Sequence, residues 1–180
     1  LLLLLFAAAS SSTAGAEGRR KHVGARPLSG KVVTLWYRAP ELLLGERHYT
    51  FSVDMWGVGC VFGELLAHEP LLPGSSDQTQ LELMVALLGV PTLRIWEGLE
   101  RLPLYSKVRL PAQPYNTIRE RLPYLGRQGV QLLNGLLTWD PNLRTEAALA
   151  HSHPYWRSAP LPLAAADFPH FPPFRNKDAA

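Results

Sequence analysis

A chain of 180 residues, 47% hydrophobic and 18% charged, has the composition of one ordinary globular domain, neither disordered nor fibrous. Its single cysteine excludes an internal disulfide framework and a cysteine-rich zinc site, and points to a reducing compartment. The formal charge of +3 is no nucleic-acid footprint: residues 1–31 hold five basic residues against one acidic and the remainder 13 against 14, whereas duplex binding needs a basic stripe on a folded face.

Residues 1–31 read as a leader. Leu1 to Ala9 is an apolar run, followed by Ser10-Ser11-Ser12-Thr13 and Ala14-Gly15-Ala16, a pattern similar to a secretory signal peptide. No Met opens the chain, no basic residue precedes the run, and nine residues are too few to span a bilayer. A non-native leader is the preferred reading, with no membrane role and no secretion. Residues 10–31, small, polar and Gly-rich, are expected to be disordered.

From Val32 to Ser158 the texture is that of a compact helical domain. Residues 52–67 are apolar on nearly every face, which predicts a helix buried all round with Ser52 as N-cap. Residues 77–88 carry Leu81, Met84, Val85 and Leu88 at amphipathic spacing and end at Gly89 and Pro91. A Pro-rich, irregular insert over 89–124 is too long for a plain helix connection and is expected to have a role of its own. A third helix is predicted over 128–138, with Leu132, Leu133, Leu136 and Leu137 inward, stopping before Asp140-Pro141. A short fourth over 145–151 ends at Pro154, and the tail 159–180, rich in Pro and Phe, is expected to run extended. No alternating β pattern of sheet length occurs, and the six histidines form no cluster at metal-ligand spacing, so no metal is expected in this chain.

Four motifs occur in order. Val32-Val33-Thr34-Leu35-Trp36-Tyr37-Arg38-Ala39-Pro40-Glu41 ends in Ala-Pro-Glu; Asp54-x-Trp56-x-x-Gly59 follows, then Asp140-Pro141-x-x-Arg144, then His153-Pro154-Tyr155-Trp156. In that order they resemble the large C-terminal lobe of a protein kinase, from the end of the activation segment to the last helix. The wording VVTLWYRAPELLLG, the long insert and Leu71-Leu72-Pro73-Gly74 are similar to the cyclin-dependent kinases of the CMGC group. The tail Phe168-Pro169-His170 with Arg175-Asn176-Lys177 narrows the likeness to one member, and the resemblance runs over residues 31–178.

The resemblance implies roles. Glu41 and Arg144 would form a buried, charge-assisted pair tying the activation segment to the base of the lobe. Asp54 would accept hydrogen bonds from catalytic-loop backbone; with no such loop in the chain it either lacks its partner, bonds elsewhere, or helps Ser52 cap the helix. Thr34 would contact the catalytic Asp and line the substrate site. Val32, Val33, Leu35 and Arg38 would form the pocket for the residue after the phosphorylated Ser/Thr, preferring proline. Trp56 and Trp139 read as core aromatics. The family's regulatory phosphothreonine falls on Ser29, followed by Gly30 where the nearest member has proline. Trp96 is followed by Glu97 where Trp-Pro is usual, a departure in the insert.

The phosphoryl-transfer parts of the family do not occur in the sequence: no G-x-G-x-x-G, no V-A-I-K-like strand, no H-R-D and no D-F-G. The expectation is a mainly α, incomplete kinase-like C-terminal lobe without the N-terminal β lobe or catalytic loop. The resemblance implies a proline-directed serine/threonine kinase of the cell cycle, using ATP and Mg in the complete enzyme, while this chain holds no cofactor and no catalytic residue. The alternative is a non-catalytic interaction module. Expected partners are Ser/Thr-Pro protein substrates, a small regulatory subunit at the insert and, in the complete enzyme, a cyclin; nucleic acid and membrane are excluded, and the expected location is nucleus or cytoplasm.

Overall fold

The computed structural model describes residues 34–161, with Leu163 and Asp167, and all regular structure among them is helical. Six α-helices occur there: α1 (Pro40–Leu43), α2 (Ser52–Ala67), α3 (Asp77–Leu88), α4 (Ile118–Arg121), α5 (Arg127–Leu136) and α6 (Ala147–His151). Four 3-10 turns accompany them, at Leu35–Tyr37, Leu99–Arg101, Tyr105–Lys107 and Pro154–Arg157. The leader, Val32, Val33, Ser29 and the extended tail expected beyond Leu163 lie outside the described residues, apart from Asp167.

Helix α2 is the axis of the core. It buries Trp56, Val58, Gly59, Cys60, Phe62 and Gly63, and packs most extensively against α5. The approach is close enough that a Cβ on Gly59 would sit 2.8 Å from Leu137 Cδ2 and 2.9 Å from Leu136 Cβ. The helix is not buried all round. Asp54 and Leu65 are exposed, Gly57 and Val61 half-buried, and a Cβ on Gly57 would meet nothing. These positions recur every three or four residues and form one uncovered stripe, because the described helices reach α2 from the other sides. Nor is Ser52 the N-cap. That position belongs to Phe51, whose side chain caps nothing; Ser52 is the first helical residue, its hydroxyl paired with Thr50 Oγ1 at 2.8 Å.

Helix α3 has the predicted bounds. Ser76 Oγ accepts from the Thr79 N–H while Thr79 Oγ1 accepts from the Ser76 N–H, a reciprocal cap that satisfies two orphan groups. Gly89, at φ 80°, ends the helix in a conformation that a Cβ disfavours. Helix α5 stops at Leu136, two residues short of the expected end. The Gly135 carbonyl takes its bonds from the Thr145 N–H and the Thr138 hydroxyl, so no further turn forms. Helix α6 starts only at Ala147, because Glu146, at φ −76° and ψ 157°, has extended backbone and is its N-cap. Pro154 does not end helical structure but opens the last 3-10 turn, where its missing N–H costs nothing.

The insert is less irregular than its prolines suggest. Its two 3-10 turns and α4 anchor Trp96, Leu99, Leu102, Ile118 and Leu122 in the core, and Trp96 stacks on Trp139 at 6.5 Å. No helix among the described residues is long and apolar enough to cross a membrane.

Candidate functional site

Two anchoring points hold the stretch that runs from Thr34 into α1. The first is a buried ion pair. Pro40 at the first position starts α1 and turns Glu41 inward. Arg144 Nη1 and Nη2 donate to Glu41 Oε1 and Oε2, both at 2.8 Å, across 103 residues of sequence. The two residues are each 2% exposed. The same guanidinium donates to three backbone carbonyls: Nη1 to Ser52 at 2.7 Å, Nε to Thr138 at 3.1 Å and Nη2 to Trp139 at 3.5 Å. Its carbon lies 5.3 Å from the ring centre of Trp56, a fully buried core aromatic whose Nε1 finds no hydrogen-bond partner among the described residues. One side chain thereby joins α1, the start of α2 and the loop after α5.

The second anchor is at the N-terminal end of α3. Thr34 is exposed and Leu35 and Arg38 half-buried, along a turn closed by Tyr37 N–H to Thr34 O and Arg38 N–H to Leu35 O, each 3.1 Å. Trp36 Nε1 donates to the Gly74 carbonyl at 2.9 Å, and Arg38 Nη1 lies 3.0 Å from Asp77 Oδ1. Gln80, fully buried, donates from Nε2 to the Trp36 carbonyl at 3.2 Å and accepts the Gly74 N–H on Oε1 at 3.0 Å. Tyr37 Oη donates to Glu64 Oε2 at 2.8 Å, and that bond to a carboxylate raises the phenol's pKa above 10.0, with burial adding to it.

The structure thus brings Thr34, Leu35, Arg38, Glu41 and Arg144 into one anchored segment. Asp54 stands apart. It lies in the first turn of α2, exposed, and neither a hydrogen bond nor an ion pair reaches its carboxylate among the described residues. It therefore does not cap the helix. Partial burial without a compensating donor lifts its pKa above 3.8. Cys60 is buried, and desolvation pushes its thiol up to about 12, so it is no nucleophile.

Gln80, Asp77 and Glu64 were missed by sequence reasoning. Gln80 had a signal: it falls on the inward stripe of α3, four residues before Met84, where an amide must be hydrogen-bonded or costly. Asp77 and Glu64 had none, since their partners lie 39 and 27 residues away. Among the described residues no three of His, Cys, Asp and Glu converge to hold a metal ion.

The comparisons fit this geometry. The protein kinase domain family model matches residues 15–156, beginning inside the segment read as leader. The chain is 49% identical over 158 residues to cyclin-dependent kinase 10 of Rattus norvegicus, covering 88% of this chain and 44% of the relative. It is 46% identical over 142 residues to human cyclin-dependent kinase 11B, covering 78% of this chain and 18% of that one. Cyclin-dependent kinase 10 is the member to which the tail motif points. A solved structure of the CAK complex from Chaetomium thermophilum bound to ATP-gamma-S matches with TM-score 0.73 at 37% identity, over 79% of this chain and 45% of that one. The chain spans less than half the length of the first of these relatives. With four ordered motifs, their buried ion pair and a family match over most of its length, the chain belongs to the protein kinase family, on its cyclin-dependent-kinase-like branch.

Proposed function

We propose that this chain is the substrate-docking part of a proline-directed serine/threonine protein kinase. The carrying observation is the double anchoring of residues 34–41: the Glu41–Arg144 pair below and the Gln80 amide with the Arg38–Asp77 pair beside it. Such anchoring gives Thr34, Leu35 and Arg38 the fixed geometry that a pocket for an extended peptide needs, and in this reading Val32 and Val33 belong to the same pocket. The backbone supports a proline preference. The carbonyls of Thr34, Leu35 and Trp36 each already accept a hydrogen bond, from Tyr37 N–H, Arg38 N–H and Gln80 Nε2. A peptide N–H beside this turn has only the second lone pair of an already bonded carbonyl to reach, whereas proline brings no N–H to leave unpaired.

In the reading we propose, ATP and Mg are held by other parts of a complete enzyme, which pairs with a cyclin and works in nucleus or cytoplasm. Ser29 is its regulatory phosphosite, and the packed insert offers a surface to a small regulatory subunit. The chain by itself binds a Ser-Pro peptide and transfers no phosphate, since its sequence holds no H-R-D, D-F-G or Gly-rich loop. The experiment is twofold: titrate the pure chain with a Ser-Pro peptide and its Ser-Ala counterpart, then incubate it with labelled ATP, Mg and the peptide. Preference for Ser-Pro without phosphate incorporation supports the reading. Equal affinity for the two peptides, or measurable incorporation, refutes it. A non-catalytic interaction module is the second reading, favoured by the fact that every residue gathered here anchors or docks; retention of a protein partner by the chain in a pull-down distinguishes it.

A further inference from the structure

We propose that Gln80 is a positioning residue of the substrate pocket, holding the Leu35–Tyr37 turn in place through both ends of its amide. The proposal rests on the reading of Thr34, Leu35 and Arg38 as pocket residues. On the inward stripe of α3, Gln80 is the polar member among Leu81, Met84, Val85 and Leu88, and all five are buried. An apolar side chain of equal length would fill that space without the cost of desolvating an amide. The amide instead makes two long-range bonds, Nε2 to the Trp36 carbonyl at 3.2 Å and Oε1 from the Gly74 N–H at 3.0 Å.

Trp36 Nε1 to the Gly74 carbonyl, at 2.9 Å, closes a ring of three bonds between segments 38 residues apart. Gly74 is shaped to this contact, because a Cβ there would lie 2.3 Å from Gln80 Oε1 and 2.8 Å from Gln80 Cα. The Nε2 bond ends on the Trp36 backbone, between Leu35 and Arg38, so the ring ties the wall of the pocket to the Gly74 loop. Without the amide, the Trp36 carbonyl loses its donor, the Gly74 N–H keeps only its bond to the Leu72 carbonyl at 3.0 Å, and the turn is free to shift. Gln80 touches no substrate; it acts through Trp36.

The test uses the full chain with Gln80→Met, which keeps length and removes both bonds, and Leu81→Ala as a folding control on the same helix. Affinities for the Ser-Pro and Ser-Ala peptides are measured below the melting temperature of every variant, together with the Trp36 indole N–H resonance. Gln80→Met is expected to weaken Ser-Pro binding about tenfold, the scale of one or two net hydrogen bonds. It should also reduce the Pro-to-Ala affinity ratio and move the Trp36 resonance. Leu81→Ala lowers the melting temperature and leaves the ratio unchanged. Gly74→Ala attacks the same ring from the loop side and should reproduce Gln80→Met. Should Gln80→Met not fold, Gln80→Asn, with the amide withdrawn by one methylene, gives the same reading. Wild-type affinity and ratio in the Gln80 variants overturn the proposal, as does an equal change of ratio in Leu81→Ala. A wild-type chain with no preference for Ser-Pro overturns the pocket reading itself, a separate result.

Discussion

Arg144 uses all five of its N–H donors: two on the Glu41 carboxylate and three on the carbonyls of Ser52, Thr138 and Trp139. That count decides what its loss does. Glu41→Gln leaves a buried cation without its counter-charge and is expected to cost ~3–5 kcal/mol in urea unfolding. Replacing a buried pair by two apolar residues is often neutral, but here Glu41→Met with Arg144→Met also strips three carbonyls. The double variant should therefore remain clearly less stable than wild type; equal stability would show that those carbonyls find other donors. Asp54 presents the opposite case. Its raised pKa means that its stabilising protonated form is present below 3.8 and is lost as pH rises through the folded-state value. Asp54→Asn is expected to remove that decline and to leave the neutral-pH stability unchanged or higher. A loss above about 1 kcal/mol would reveal a hydrogen-bond partner for the carboxylate. Cys60, buried with its thiol at about 12, should react with a thiol reagent only after unfolding.

At the level of elements, the α2–α5 contact depends on having no side chain at Gly59. Alanine normally strengthens a helix interior by about 1 kcal/mol over glycine. At 59 its Cβ would lie 2.8 Å from the Leu137 Cδ2 methyl and 2.9 Å from Leu136 Cβ, and both leucines are buried with little room to move. Gly59→Ala is expected to destabilise the chain by ~1–3 kcal/mol despite the better propensity, read as a lowered urea midpoint. Gly57→Ala, two residues away on the open stripe of α2, serves as the matched control and should stabilise. Helix α3 and the inward leucines of α5 were legible because their periodicity and end signals are local. The end of α5 was not, since the Thr145 to Gly135 bond that sets it joins different segments.

For the whole molecule, one core joins the insert, α2, α3 and α5, so docking surface and scaffold unfold together. The uncovered stripe of α2 stands beside this core, with Leu65 exposed over 61% of its surface. Exposed Phe51, Tyr124 and Leu149 add apolar area elsewhere. An environment-sensitive dye should bind the native chain, and Leu65→Lys should reduce that signal without lowering the melting temperature.

The sequence by itself determined the family, through motif order, and the helices whose apolar spacing and caps lie within a few residues. It also named both partners of the Glu41–Arg144 pair, because each sits in a motif. Only the tertiary structure decided that Arg144 serves three more carbonyls, that Asp54 is exposed with no partner among the described residues, and that Gln80 binds Trp36 to Gly74. The physical reason is range. Propensity and periodicity act within a turn or two of chain, whereas satisfying a buried polar group depends on whatever a distant segment brings beside it.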